Sequence, residues 1–204
     1  QLRQYLYIDE NDLLREKWNI TPQDFVFISV GRMNSEPQKQ FKVLIQTFAK
    51  VAQVHKNAKL ILVGEGNQKQ EYIDLAQKLQ VLDQVIFTGY QAEVDQFFAI
   101  SHTFCLFSAF EAFGLVSVEA QMNKIPAIVT QVGGLKYTVV NKETGFVVEA
   151  HNQEQMHDKM MYAIQNPEQM KQMGQRAFLY VNTHFHEDQY VDNLFKFYHQ
   201  IIKK

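Results

Sequence analysis

Cysteine is almost absent from this 204-residue chain: Cys105 stands alone inside an apolar run. One thiol cannot close an internal disulfide, so a buried free cysteine in a reducing compartment is the expectation. Apolar runs approaching the roughly 18 residues of a spanning helix are also missing, and the opening QLRQYLYIDE does not read as a signal peptide. The expected setting is the cytoplasm, with peripheral contact at a membrane surface left open. Excess charge of either sign is lacking, at a net −2 and a pI near 6.4, which removes the electrostatic case for nucleic acid. The string LVGEGNQKQ has Gly64 and Gly66 after an apolar run but Lys69 where a dinucleotide fingerprint needs a third glycine. That excludes a nicotinamide or flavin site and leaves a tight turn. His184 and His186 have no Cys or carboxylate at zinc spacing beside them, so a surface turn that ends a helix, not a metal site, is expected there.

What is present is an alternation of short apolar runs and longer amphipathic ones. FVFISV (Phe25 to Val30), LILV (Leu60 to Val63), VIFTGY (Val85 to Tyr90), HTFCLF (His102 to Phe107), PAIVT (Pro126 to Thr130) and FVV (Phe146 to Val148) have the length and composition of buried strands. Between them, Phe41 to Val54 shows helical spacing through Leu44, Ile45, Phe48 and Val51, a helix follows GEGN to about Gln80, and Val94 to Ile100 is a short amphipathic helix. A short helix follows Gly133 and Gly134, and from about Gln153 the chain is helical, broken near Asn166-Pro167 and His184. Strands alternating with helices predict an α/β fold, a Rossmann-like parallel sheet covered on both faces and carrying extra C-terminal helices. Right-handed crossovers then bring Gly31, Gly64, Gly89, the turn after Ser108 and Gly133 to one sheet edge, where ligands of open α/β sheets bind.

The stretch with the most chemistry is Ser108 to Met122, SAFEAFGLVSVEAQM. An apolar strand leads into it, and Leu115, Val118 and Met122 recur at helical spacing, so it reads as strand, turn and helix beginning near Phe113. The first N–H groups of such a helix lack internal acceptors and sit at the positive end of the peptide dipoles, which suits a phosphate. Gly114 puts no side chain between a ligand and those groups. Glu119 would lie about six residues in, roughly 9 Å along the axis, a depth that a ribose attached to that phosphate reaches. Glu111 would flank the phosphate on the other side. Arg32 and Lys39, in the loop VGRMNSEPQKQF after the first strand, are the cations able to meet a phosphate pair. Taken alone, these spacings also suit solvated surface side chains. A glycoside hydrolase built on the Glu pair is excluded, because eight positions near one helix allow separations up to roughly 12 Å while hydrolytic pairs need about 5–9.5 Å.

The string EAFGLVSVEA resembles the signature of family 4 glycosyltransferases (glycosyl transferases group 1, GT-B fold), in which two Glu separated by seven residues bracket EGFGL…EA. Both Glu, the Phe-Gly-Leu core and the closing Ala match, and Ala112 stands where Gly is usual, narrowing the space beside the sugar. VGR with a following Lys is similar to the family's diphosphate-binding loop; Arg32 matches, Lys39 matches with about two extra linker residues, and Gln40 replaces the usual Gly. LVGEG and FTGY look like the family's second and third strands, the latter bordering the nucleotide base, so Tyr90 is either a wall of that pocket or plain packing. The glycine pair of TQVGGLKYTVV matches a family loop whose usual Glu is Tyr137 here.

The resemblance implies that residues 25–204 form the donor-binding C-terminal domain of a two-domain, retaining enzyme, with residues 1–24 as an entry segment after an absent N-terminal domain. It implies a nucleotide diphosphate sugar as substrate, a UDP-sugar being favoured, with no cofactor and no metal, in keeping with the lack of an Asp-x-Asp motif. Arg32, Lys39 and the N–H groups near Gly114 and Leu115 would hold the diphosphate, with Gly31 also in the donor site, Glu119 on the ribose and Glu111 near the sugar. Tyr90, Phe113 and Val116 complete the donor-site set, and Glu111, Arg32 and Lys39 would be its catalytic members. The acceptor, a glycan, lipid or small molecule, would be held mostly by the absent domain, so this chain alone would bind donor without turning it over. The last helix, over 187–204, has an apolar face of Tyr190, Val191, Leu194, Phe195, Tyr198 and Ile201 that would cover either its own sheet or the absent domain. A nucleotide-sugar epimerase of the same fold, or a non-catalytic nucleotide-binding domain, fits the same residues; Ala112 and Tyr137 lean toward the latter.

Overall fold

The computed structural model describes residues 9–34 and 39–185. Six parallel strands form one sheet: β1 (Phe25–Val30), β2 (Ala58–Val63), β3 (Val85–Gly89), β4 (Thr103–Leu106), β5 (Ala127–Thr130) and β6 (Gly145–Val148), in the order β3-β2-β1-β4-β5-β6. Each expected strand is present, within two residues of its expected ends. Side chains alternate across the sheet as strand geometry requires, and both faces are buried. In β1, Phe25 and Phe27 join one core while Val26 and Ile28 join the other.

Helices α2 (Phe41–Val54), α3 (Lys69–Lys78) and α6 (Gln153–Gln165) cover the first face. α2 is the most deeply seated, with Phe41, Leu44, Ile45, Phe48 and Val51 all buried. Phe48 is fully buried and meets Phe27 edge-on at 6.3 Å, so truncating it to alanine would cost about 3–5 kcal/mol. The second face is covered by α1 (Glu10–Lys17), α4 (Asp95–Ala99) and α5 (Leu115–Met122). Asp9 caps α1 by accepting from the N–H of Asn11 at 2.9 Å. α1 buries no residue of its own and is tied down by Arg15, which donates to the carbonyl of Ile100, and by Trp18 packing on Phe97. α7 (Pro167–His184) begins at the expected proline break and packs on α5, α6 and β6. The expected helix over 187–204 lies outside the described residues, and among those described no helix is long and apolar enough to cross a membrane.

The chain winds outward from β1 to β3 and then returns to β4 on the other side of β1. This reversal opens a crevice between β1 and β4 at the strands' C-terminal edge. The loops after β1, β2, β3, β4 and β5 all end there.

Candidate functional site

The loop after β4 is built on backbone contacts. Thr130 Oγ1 accepts from the Ser108 N–H at 2.9 Å and donates to the Ser108 carbonyl at 2.8 Å, which fixes the loop where it leaves the sheet. Lys39 bridges the same Ser108, and the N–H of Gln40 donates to the Phe107 carbonyl at 2.7 Å. The start of α2 is thereby joined to the Glu111 loop across the crevice. On the far side, the Gly134 N–H donates to the Ala112 carbonyl at 2.9 Å, and a methyl added at Gly133 or Gly134 would run into the carbonyl oxygen of Glu111 or Ala112. Only a glycine pair lets the two loops approach so closely, which gives the pair in TQVGGLKYTVV its physical reason.

Helix α5 begins at Leu115 instead of near Phe113, because Gly114 sits at φ 82°, ψ 53° and cannot continue a right-handed helix backward. Among the described residues no side chain caps this end. Leu115 and Val116, at the first two helical positions, have no intrahelical acceptor for their N–H groups, whereas the Ser117 N–H donates to the Gly114 carbonyl at 2.8 Å. Glu119 is thus the fifth helical residue, roughly 6 Å from Leu115 along the axis, and stands exposed on the outer face. The apolar spacing of Leu115, Val118 and Met122 does not mark the buried face: Leu115 is 66% exposed and Met122 41%. The buried face is Ser117, Ala120 and Gln121. Gln121 Nε2 donates to the carbonyls of Ser117 and Thr138 at 3.0 and 2.8 Å, and the hydroxyls of Ser117 and Thr138 lie 2.9 Å apart. With these partners, polar side chains can occupy a core position.

Lys39 stands at the centre of the charged set. Its stem lies over Gly31 and its Nζ donates to the Val30 carbonyl at 2.9 Å. Burial pushes its pKa down, Glu111 and Glu119 push it back up, and Arg32 adds to the downward push. All four charged residues singled out in the sequence are therefore within electrostatic reach of one point. Among the described residues neither the Glu111 nor the Glu119 carboxylate has an ion-pair partner, and Arg32 is exposed. A cleft of about 480 Å³ adjoins the set, lined by Val30, Gly31, Arg32, Val63, Gly64, Glu65, Tyr90, Gln91 and Val94. Tyr90 is 75% exposed, so its ring is available to a ligand instead of being packed away. Phe113 is 36% exposed and Val116 half-buried beside the α5 terminus.

LVGEG forms a turn, as read, with Lys69 bound to Glu65 at 2.6 Å. His184 ends α7 with its ring on Tyr180, and His186 lies outside the described residues. Among the described residues no cluster of His, Cys, Asp and Glu could hold a metal ion. Tyr137 is 64% exposed and engages through its main chain, accepting from the Tyr180 hydroxyl at 2.9 Å. The Gln121, Ser117 and Thr138 seam is not legible in the sequence. Its trace is an apolar stripe on α5 too narrow to account for the helix's burial.

The glycosyl transferases group 1 family model matches residues 10–180. N-acetyl-alpha-D-glucosaminyl L-malate synthase from Bacillus anthracis is 29% identical over 98% of this chain and 53% of its own length. The crystal structure of HepE from Anabaena in complex with UDP and glucose superposes with a TM-score of 0.80 at 22% identity, over 91% of this chain and 52% of that one. The C-terminal domain of LpcC, a glycosyl transferase group 1 family protein from Francisella tularensis, superposes at a TM-score of 0.73 and 20% identity, over 85% of this chain and 93% of that one. The chain spans about half the length of the curated relatives it matches.

Proposed function

The chain belongs to the glycosyl transferases group 1 family, and from that premise we propose that it is the donor-binding half of a retaining, metal-independent glycosyltransferase that uses a nucleotide diphosphate sugar. The observation that carries the reading is the grouping of Arg32, Glu111 and Glu119 within electrostatic reach of Lys39, with the start of α5 lying between the two Glu in the chain and a cleft of about 480 Å³ beside Arg32. The UDP bound in the HepE crystal favours a UDP-sugar as donor.

In this reading the nucleotide base enters the cleft against Tyr90 and the ribose hydroxyls meet Glu119. The diphosphate faces Arg32, Lys39 and the N–H groups of Leu115 and Val116, and the sugar lies toward Glu111. Breaking the bond between the anomeric carbon and the phosphate oxygen builds negative charge on the departing diphosphate and positive charge on the ring. Cations and N–H dipoles already aimed at the phosphate stabilise that separation without reorganising. Lys39 is suited to the task because burial disfavours its charged form, and the charge of an arriving diphosphate offsets that cost. The Glu111 carboxylate orients sugar hydroxyls and favours the cationic ring. The acceptor oxygen attacks from the face the diphosphate leaves, and its proton passes to the departing phosphate.

The acceptor, a glycan, lipid or small molecule, is held in this reading by the half that the relatives have beyond this chain, in the cytoplasm or at its membrane face. The experiment is product analysis by proton NMR, with the longer protein carrying both halves, a UDP-sugar and candidate acceptors in metal-free buffer. A new glycosidic bond with the donor's anomeric configuration is expected. Inverted product, a strict metal requirement, or an epimerised nucleotide sugar without transfer would overturn the proposal.

A further inference from the structure

The last turns of α7 reach back to the loop that carries Glu111. The Tyr180 hydroxyl donates to the Tyr137 carbonyl at 2.9 Å. The Phe185 ring stands edge-on to Phe113, with centroids 5.5 Å apart at 76°, and edge-on to Tyr180 at 5.8 Å. His184 lies over the Tyr180 ring at 4.4 Å, and its Nδ1 is 2.9 Å from the Tyr180 carbonyl oxygen. Burial raises the pKa of the Tyr180 phenol, so the hydroxyl keeps its proton and remains a donor across the neutral range.

These contacts fall at two consequential places. Phe113 directly precedes Gly114, whose left-handed conformation sets the direction of α5, so the position of the Phe113 ring bears on where the free N–H groups point. Tyr137 ends the short 3₁₀ turn Leu135–Tyr137, which follows the glycine pair abutting the Glu111 and Ala112 backbone. Between β4 and α5 the loop has no regular hydrogen-bond ladder, and the Glu111 carboxylate has no partner among the described residues. Among the described residues, α7 contacts this loop through Phe185 on Phe113 and holds Tyr137 behind the glycine pair that abuts it.

We propose that the C-terminal turns of α7 clamp the donor loop, with Tyr180 and Phe185 as positioning residues that act through Tyr137 and Phe113 to hold residues 111–116 in place for the diphosphate and sugar. This rests on reading the crevice as a donor site. Phe185 lies past the end of the family match at residue 180, so the clamp is argued from this chain's own contacts.

The test uses the full 204-residue chain as wild type, Tyr180→Phe, Phe185→Ala and Phe185→Leu. Amide hydrogen exchange over 110–116, titration with UDP and with UMP, and thermal melting are measured on each. Tyr180→Phe and Phe185→Ala should speed exchange over 110–116 by about fivefold, the loss of one ordinary contact, with exchange in β1, β2 and β4 unchanged. UDP affinity should fall by a similar factor while UMP, which lacks the second phosphate, binds as before, and Phe185→Leu should restore most of the difference. Unchanged exchange over 110–116 would overturn the clamp, as would an equal loss of UDP and UMP affinity tracking the melting temperature. If wild type binds neither nucleotide, the donor reading fails and the exchange result alone decides for or against the clamp.

Discussion

His102 makes the fold sensitive to acid in a way that can be worked out from its surroundings. It directly precedes β4, with its ring stacked on Phe25, centroids 4.8 Å apart, and its Nδ1 accepts from the backbone N–H of Val26 at 3.0 Å. Protonation would place a second N–H against that donor. It shares a cavity of about 400 Å³, at the sheet edge opposite the crevice, with Lys124, Glu168 and Lys171. Burial, with a smaller push from Arg15, lowers its pKa from 6.5 to about 4. The unfolded chain takes up this proton as pH falls through 6.5, and the folded chain does not until about pH 4. Stability is therefore fully present above 6.5 and drains away as pH falls through that window. At about 1.4 kcal/mol per pH unit, the full loss from this one side chain is about 3–4 kcal/mol, a large share of a typical domain's 5–15 kcal/mol. The assay is urea unfolding at intervals from pH 7.5 to 4.5 on wild type and His102→Asn, whose side-chain oxygen can still accept from Val26 but does not titrate. The variant should be less stable at neutral pH, through the lost Phe25 stacking, and its stability should fall less by about 2–3 kcal/mol across the window. Parallel pH profiles for the two proteins would refute the reasoning.

Three further outcomes follow from the site. Lys39→Met removes the buried cation on which Glu111 and Glu119 both act, so UDP affinity should drop by about tenfold or more with the urea midpoint unchanged or higher, since a buried charge is removed; equal affinity would take Lys39 out of the site. Gly134→Ala forces a methyl against the Ala112 carbonyl and to 3.1 Å from the Phe113 Cα, and should cost about 1–3 kcal/mol in urea unfolding together with weaker UDP binding. Gln121→Leu takes the donor from the Thr138 and Ser117 carbonyls beneath α5 and should cost about 1–3 kcal/mol by the same assay; a neutral result would mean the seam is not needed to seat the helix.

The sheet was legible because its strands are buried on both faces and so appear as unbroken apolar runs such as FVFISV and AIVT, punctuated by glycine where the backbone turns. α2 was legible to the residue, since its stripe of Phe41, Leu44, Ile45, Phe48 and Val51 is the face it buries. α5 was legible as a helix, but its buried face was not, for the opposite reason. Its core-facing side is Ser117, Ala120 and Gln121, the two polar ones made tolerable by hydrogen bonds to a segment 17 to 21 residues away, while Leu115 and Met122 face outward. Spacing reports hydrophobicity, not satisfied polarity. The start of α5 shifted because a glycine's φ cannot be read from its neighbours. Charged residues scattered from Arg32 to Glu119 were recognisable as a set only through the family signature, and the structure brings them within reach of Lys39. The clamp on Tyr137 joins a side chain to a main-chain carbonyl 43 residues earlier, a contact that neither periodicity nor composition encodes.

The central claim, that the crevice between β1 and β4 binds a nucleotide diphosphate, is tested most directly by calorimetric titration of this chain with UDP, GDP and ADP in metal-free buffer, beside Arg32→Ala and Glu119→Ala. Saturable one-to-one binding is expected, strongest for UDP and weakened by about tenfold in each variant. Absence of binding for all three nucleotides, or binding that neither substitution disturbs, would contradict it.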